Sequence, residues 1–162
     1  MKKSFMINRF RYAAAVIGVF LVSFINKIIV QSGQDWYNFI NLPAYIPNIK
    51  SNRIILSIIF ILIFLSIFFF LRNNKENKEI RYQAILIFFL TNGILNIFCF
   101  TLFFAWNLVF WSIWGIVFLN LSTLTLIILL AKNNKLSSIL LIPYFLGGVG
   151  ISYVLYNIYL IN

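Results

Sequence analysis

Residues 84–131 read AILIFFLTNGILNIFCFTLFFAWNLVFWSIWGIVFLNLSTLTLIILLA, 48 consecutive positions without one Lys, Arg, Asp or Glu. A single helix of that length would measure about 72 Å, more than twice the roughly 30 Å of a bilayer's hydrocarbon core. The stretch must therefore fold back on itself, and composition places the turn at Ala105-Trp106-Asn107-Leu108, since Trp106, Trp111 and Trp114 cluster there and Trp concentrates at membrane interfaces. Two antiparallel spanning helices, 84–104 and 109–131, follow.

Working outward, Tyr12 to Val30, Ile54 to Leu71 and Leu136 to Ile161 each supply about the 20 mostly apolar residues a spanning helix needs. The expectation is an all-α membrane protein: a single domain over 1–162 whose five helices span about 12–30, 54–71, 84–104, 109–131 and 136–161. Composition agrees, with 62% hydrophobic residues, 10% charged and a mean hydropathy of +0.96, against roughly 25% charged in a soluble domain. The N-terminal Met1-Lys2-Lys3 followed by an apolar run resembles a signal peptide, but no small-x-small site closes it, so it is read as the first span.

The formal net charge of +10 is accounted for by topology. With the N-terminus inside and the C-terminus outside, Lys2, Lys3, Arg9, Arg11, Arg72, Lys75, Lys78, Arg81, Lys132 and Lys135 are internal, while Lys50 and Arg53, with Lys27 nearby, are external. That positive-inside bias removes nucleic acid as a partner and favours a bacterial cytoplasmic membrane. Lys27 reads as a side chain snorkelling to the headgroups, with a polar group facing the pocket as the alternative.

The inventory excludes much chemistry. There is no His, Cys99 is the one Cys, and the acids Asp35, Glu76 and Glu79 all lie outside the apolar runs. Carboxylate dyads, imidazole bases, His-metal sites and buried acidic proton relays are thus ruled out. No cofactor is required and no metal site is expected.

The connection over 31–53 is unusual for a tether. It carries Trp36, Tyr37, Phe39 and Tyr45 with Pro43 and Pro47, where flexible linkers are rich in Gly, Ser and charge. An ordered lid over a pocket is expected, with Asp35 capping a short helix from Trp36 to Asn41 that Pro43 ends. Within the bundle, Ala14 with Gly18 and Gly148 with Ser152 are small pairs at four-residue spacing, suited to close helix packing. Asn92 and Asn96 share one face, as do Asn120 and Thr123, and these should point inward to lock helices or line a cavity.

These features resemble one family. Trp36-Tyr37 followed by Leu42-Pro43-Ala44-Tyr45-Ile46-Pro47 is similar to the first-loop motif of the translocator proteins, or tryptophan-rich sensory proteins (TspO/MBR): a Trp-Tyr pair, then Lys-Pro-x-Trp-x-Pro-Pro. Leu95-Asn96 with Leu102-Phe103-Phe104 resembles the third-helix pattern, and Leu140-Leu141-Ile142-Pro143-Tyr144 the fifth-helix Leu-Leu-x-Pro-Tyr. The final Ile161-Asn162 is similar to the family's common ending. The resemblance implies a five-helix bundle, a homodimer in many members, that binds protoporphyrin IX or another flat hydrophobic molecule, in some members a sterol, beneath the first outer loop.

It further implies a ligand site drawn from the lid (Trp36, Tyr37, Pro43, Tyr45, Pro47), the third helix (Asn92, Asn96, Phe100) and the fifth (Pro143, Tyr144, Tyr153, Tyr156), with Lys50 and Arg53 meeting the propionates. Some bacterial members are associated with light-dependent porphyrin breakdown that relies on pocket Trp residues. Here Tyr45, Leu56, Cys99, Gly147 and Tyr156 stand where those Trp are usual, which leaves Trp36 as the one catalytic candidate. Binding or sensing is therefore expected over catalysis. A porphyrin-degrading enzyme, a lipid or sterol binder and a structural membrane partner are the alternatives.

Overall fold

A computed structural model describes the backbone of residues 2–43, 49–73 and 80–162 and the side chains of 12–43, 57–72 and 82–162. The described residues are helical, with no strand. Helix α1 runs Lys2–Ser32, α2 Gln34–Phe39, α3 Ile49–Asn73, α4 Ile80–Phe100, α5 Val109–Ala131 and α6 Lys135–Ile161. A π-helical turn, Thr101–Ala105, extends α4.

Among the described residues, four apolar segments are long enough to cross a bilayer: Tyr12–Ser32, Tyr82–Ala105, Val109–Ala131 and Lys135–Ile161. The described apolar part of α3, Ser57–Arg72, is shorter. The helices overrun the apolar segments at several ends because a helix satisfies its own backbone hydrogen bonds in water as well as in lipid, so hydropathy bounds a span and not a helix.

Between α4 and α5 the chain turns at Trp106–Leu108, where Asn107 takes the left-handed conformation with φ 58°. Asn tolerates that region because its short amide can bond locally. The α5–α6 turn is fixed by Asn134, whose side chain caps α6 by accepting from Ser137 N at 3.3 Å and donates to Phe69 O of α3 at 3.0 Å. Ser66 Oγ donates to Ser137 O (2.7 Å) and Ser138 Oγ to Ile127 O (2.9 Å), so three helices are stitched together at this end.

In cross-section the long helices follow the ring order α1, α3, α6, α5, α4 and back to α1. The α5–α6 seam is tight. A Cβ added at Gly148 would overlap the Asn120 side-chain amide, and Asn120 Nδ2 donates to Ser152 Oγ at 3.1 Å, so the small pair of α6 seats a polar side chain of α5. Gly18 of α1 differs, for a Cβ there would meet nothing within 4 Å. The Ala14–Gly18 pair, read from spacing as a close-packing face, borders empty space instead.

Two buried apolar clusters fill the bundle. One, at the end away from α2, includes Phe70, Tyr82, Ile85, Leu126, Leu130 and Leu141. The other, beneath α2, includes Cys99, Phe103, Leu119, Tyr144, Leu155 and Ile158.

Candidate ligand site

At the α2 end the lid is packed in place. Gly33 is the N-cap of α2, so the helix begins two residues before the expected start and Asp35 lies in its first turn. Glycine is needed there because a Cβ would overlap the Phe104 carbonyl, which lies in the π-helical turn. The same turn presents Phe103 and Phe104 to α2. The Trp36 ring stands edge-on to Phe103 (centroids 5.0 Å, 77°), and Tyr37 lies 6.2 Å from Phe103 and 5.7 Å from Phe104. Partial burial pushes the Tyr37 phenol pKa up. After α2, Asn41 and Asn162 exchange hydrogen bonds, Asn41 N to Asn162 Oδ1 at 2.9 Å and Asn162 Nδ2 to Asn41 O at 3.0 Å, which fasten the segment to the end of α6.

Nearer the middle of the bundle a polar chain crosses three helices. Asn26 Nδ2 of α1 donates to Asn96 Oδ1 of α4 (2.5 Å), and Asn96 Nδ2 donates to Tyr144 Oη of α6 (3.1 Å). One turn away Asn92 Nδ2 donates to Thr123 Oγ1 of α5 at 2.7 Å. All five residues are buried. Lipid offers an amide no partner, so these groups turn inward and hold the helices to one another. The Asn26 Oδ1 atom is buried with no hydrogen-bond partner in the protein.

Beside this chain lies a cleft of about 450 Å³ between α1, α3 and α4, closed at the back by Leu126, Leu141 and Tyr144. It extends from Leu71 and Tyr82 at the end away from α2 to Ile25 and Ile97. Along α4, Tyr82 to Ile97 corresponds to about 22 Å. Among the described residues its walls are apolar apart from Asn92, Asn96, Tyr82 and Tyr144, with no charged side chain and no Trp. Leu21, Leu90 and Ile94 both line it and are exposed, so it opens sideways on the apolar face between α1 and α4. Gly18 and Gly93 keep it wide, and Val22 Cγ2 would lie 3.3 Å from a Cβ at Gly93. The volume falls within the roughly 300–1,000 Å³ of small-molecule pockets.

Of the residues expected to form the site, Asn92, Asn96 and Tyr144 line the cleft. Trp36 and Tyr37 do not; they rest on the buried cluster beneath α2. Pro43 is buried and Phe100 stacks on Phe104 at 5.9 Å, both away from the cleft. Pro143, Tyr153 and Tyr156 are exposed on α6. Tyr45 and Pro47 lie outside the described residues, as do the side chains of Lys50 and Arg53. Sequence reasoning did not single out Tyr82, Gly93 or Ile97 as lining residues. Gly93 carried a signal, being a small residue between the paired Asn92 and Asn96.

The family model described as TspO/MBR family matches residues 13–160. The chain is also 30% identical over 162 residues to the protein named Tryptophan-rich protein TspO of Bacillus cereus, covering 100% of this chain and 99% of the relative.

Proposed function

The chain belongs to the TspO/MBR family, and from that premise we propose that it is a five-span membrane protein, N-terminus inside, that binds a flat hydrophobic tetrapyrrole of the protoporphyrin IX type. The integral-membrane assignment rests on the apolar helices together with the family. What supports α3 as the fifth span is its 25-residue length and its packing between α1 and α6. What supports the orientation is the gathering of Lys and Arg at the helix ends away from α2.

The observation that carries the binding reading is the 450 Å³ cleft, apolar along its walls and edged by Asn92, Asn96 and Tyr144. A ligand there is held by burial of its faces, worth roughly 25 cal/mol per Å² before the cost of ordering is subtracted. With no His in the chain, the usual neutral axial ligand for haem iron is missing, so metal-free porphyrin is preferred over haem. Because no Trp lines the cleft, binding and not Trp-dependent photochemistry is the reading put forward.

Titration of the purified protein with protoporphyrin IX, followed by the shift of its Soret band, tests this. Saturable binding at micromolar ligand is expected. A linear, unsaturable response indistinguishable from empty detergent micelles would sink the proposal.

A further inference from the structure

Two polar atoms of the cleft are left over after the bundle has made its hydrogen bonds. Asn92 bonds through its nitrogen alone, Nδ2 to Thr123 Oγ1, and its Oδ1 accepts from no described residue. That oxygen is not sealed in the protein as Asn26 Oδ1 is; it is reached from the cleft that Asn92 lines. Tyr144, also on the cleft wall, accepts from Asn96 Nδ2 at its Oη and gives its own hydroxyl hydrogen to no acceptor among the described residues. Both residues are more than nine-tenths buried, at 7% and 9% exposure. A free acceptor and a free donor in an otherwise apolar wall are the kind of feature that orients a small ligand, and each costs free energy while it stays unpaired.

Their placement restricts what can pair them. Asn92 and Asn96 lie one turn apart, about 6 Å along α4, and Tyr144 Oη is 3.1 Å from the Asn96 amide nitrogen. One hydroxyl oxygen, with two bonds of about 2.8 Å, spans such a gap, donating to Asn92 and accepting from Tyr144. An ester or ketone only accepts, and an ionised head would have to leave water for walls whose described side chains carry no charge. From Asn92 the apolar wall continues past Phe89, Leu86 and Leu71 to Tyr82, about 15 Å along α4. An extended chain advances about 1.3 Å per carbon, so that length takes about twelve carbons. The cleft opens sideways at Leu21, Leu90 and Ile94, and a molecule dissolved in the bilayer reaches it without crossing water.

We infer that the cleft binds a neutral long-chain alcohol, its hydroxyl held between Asn92 Oδ1 and Tyr144 Oη and its chain lying along α4 toward Tyr82. The inference goes beyond the tetrapyrrole reading and stands without it, because it rests on two polar atoms and on no ring or charge of the ligand. Hydrocarbon offers a hydroxyl no partner, so the pair selects an alcohol over an ether or alkane of the same length.

The experiment uses the full chain in phosphatidylcholine bilayers, irradiated with dodecanol that carries a diazirine at its chain end, with labelled residues located by mass spectrometry. Unlabelled dodecanol and dodecyl methyl ether compete; the ether keeps the chain and accepts but cannot donate. Labelling of the cleft residues of α1 and α4 is expected, with dodecanol competing about fivefold better than the ether. Asn92→Leu removes that preference by weakening the alcohol alone, and Tyr144→Phe weakens both competitors about fivefold. Gly18→Phe abolishes the labelling, because a Cβ at Gly18 meets nothing within 4 Å and the ring fills the cleft. Phe20→Ala, on the exposed side of α1 and outside the cleft, changes nothing.

The inference is overturned if alcohol and ether compete equally in the wild type, if the preference survives Asn92→Leu, or if labelling falls as heavily on exposed residues such as Ile142 and Leu146 of α6 and ignores Gly18→Phe. The wild-type comparison and Tyr144→Phe decide the matter on their own where Asn92→Leu does not fold. None of these outcomes bears on the porphyrin titration, whose failure is read separately from the Soret band.

Discussion

The two small-residue pairs of this protein have the same spacing and opposite roles. Gly148 and Ser152 of α6 receive the Asn120 side chain of α5, whereas Ala14 and Gly18 of α1 face a void. The helices follow suit: 39% of the apolar segment of α5 is buried, against 6% of that of α1. In a bilayer, helices gain nothing from apolar contact alone, since lipid tails are equally apolar, so association depends on close packing and polar bonds. The α5–α6 side has both. α1 is held by Asn26, by the Gly33 junction and by a Tyr12–Phe68 ring contact at 5.5 Å.

The widest separation between the two sides is expected from one pair of substitutions. Gly148→Leu forces Asn120 out of its seat and costs about 2–3 kcal/mol, read as a lowered midpoint of thermal unfolding in detergent. Gly18→Leu stays within about 0.5 kcal/mol of wild type. Equal losses at the two positions would mean that α1 packs as closely as α6 does.

A smaller difference is expected within the polar chain. Asn96→Leu strands both Asn26 and Tyr144 and costs about 2 kcal/mol, because a buried group that loses its partner bears its full desolvation cost. Asn26→Leu strands only the Asn96 oxygen and also removes an oxygen that has no partner, so its cost is smaller, about 1 kcal/mol. Denaturation of both variants under identical conditions checks the order. If Asn26→Leu proves the more damaging, the unpartnered oxygen is serving a purpose that this account omits.

The least effect concerns Tyr37. Its raised pKa means that the folded state holds the phenolic proton more tightly than the unfolded chain does. The associated stability is complete below about pH 10 and is lost as pH climbs through the raised value. Amide hydrogen exchange of α2, corrected for its intrinsic pH dependence, should therefore show loosening only in strongly alkaline solution. Loosening near neutrality would place the cause elsewhere.

The all-helical class was legible because 48 uncharged residues exceed any one crossing, and the family because its motifs recur in order along the chain. Asn92, Asn96 and Thr123 were recognisable as inward-facing because each is a polar residue inside an apolar run. The start of α2 was not legible: it depends on Gly33 meeting the Phe104 backbone, a contact between segments some 70 positions apart. Nor could spacing distinguish Gly18 from Gly148. A small residue permits a close neighbour without supplying one, and only the position of the next helix decides between seam and void. For the same reason Tyr153 and Tyr156 could be assigned to α6 but not to its exposed side.

Gly33 and Tyr12 hold α1 at the two ends of its apolar length. At Gly33 the chain is pressed against the backbone of the π-helical turn, and at Tyr12 the ring packs on Phe68, while between them a Cβ added at Gly18 would meet nothing within 4 Å. α1 therefore spans the void like a beam on two supports, and any bowing of its middle changes the width of the slot most beside Gly18.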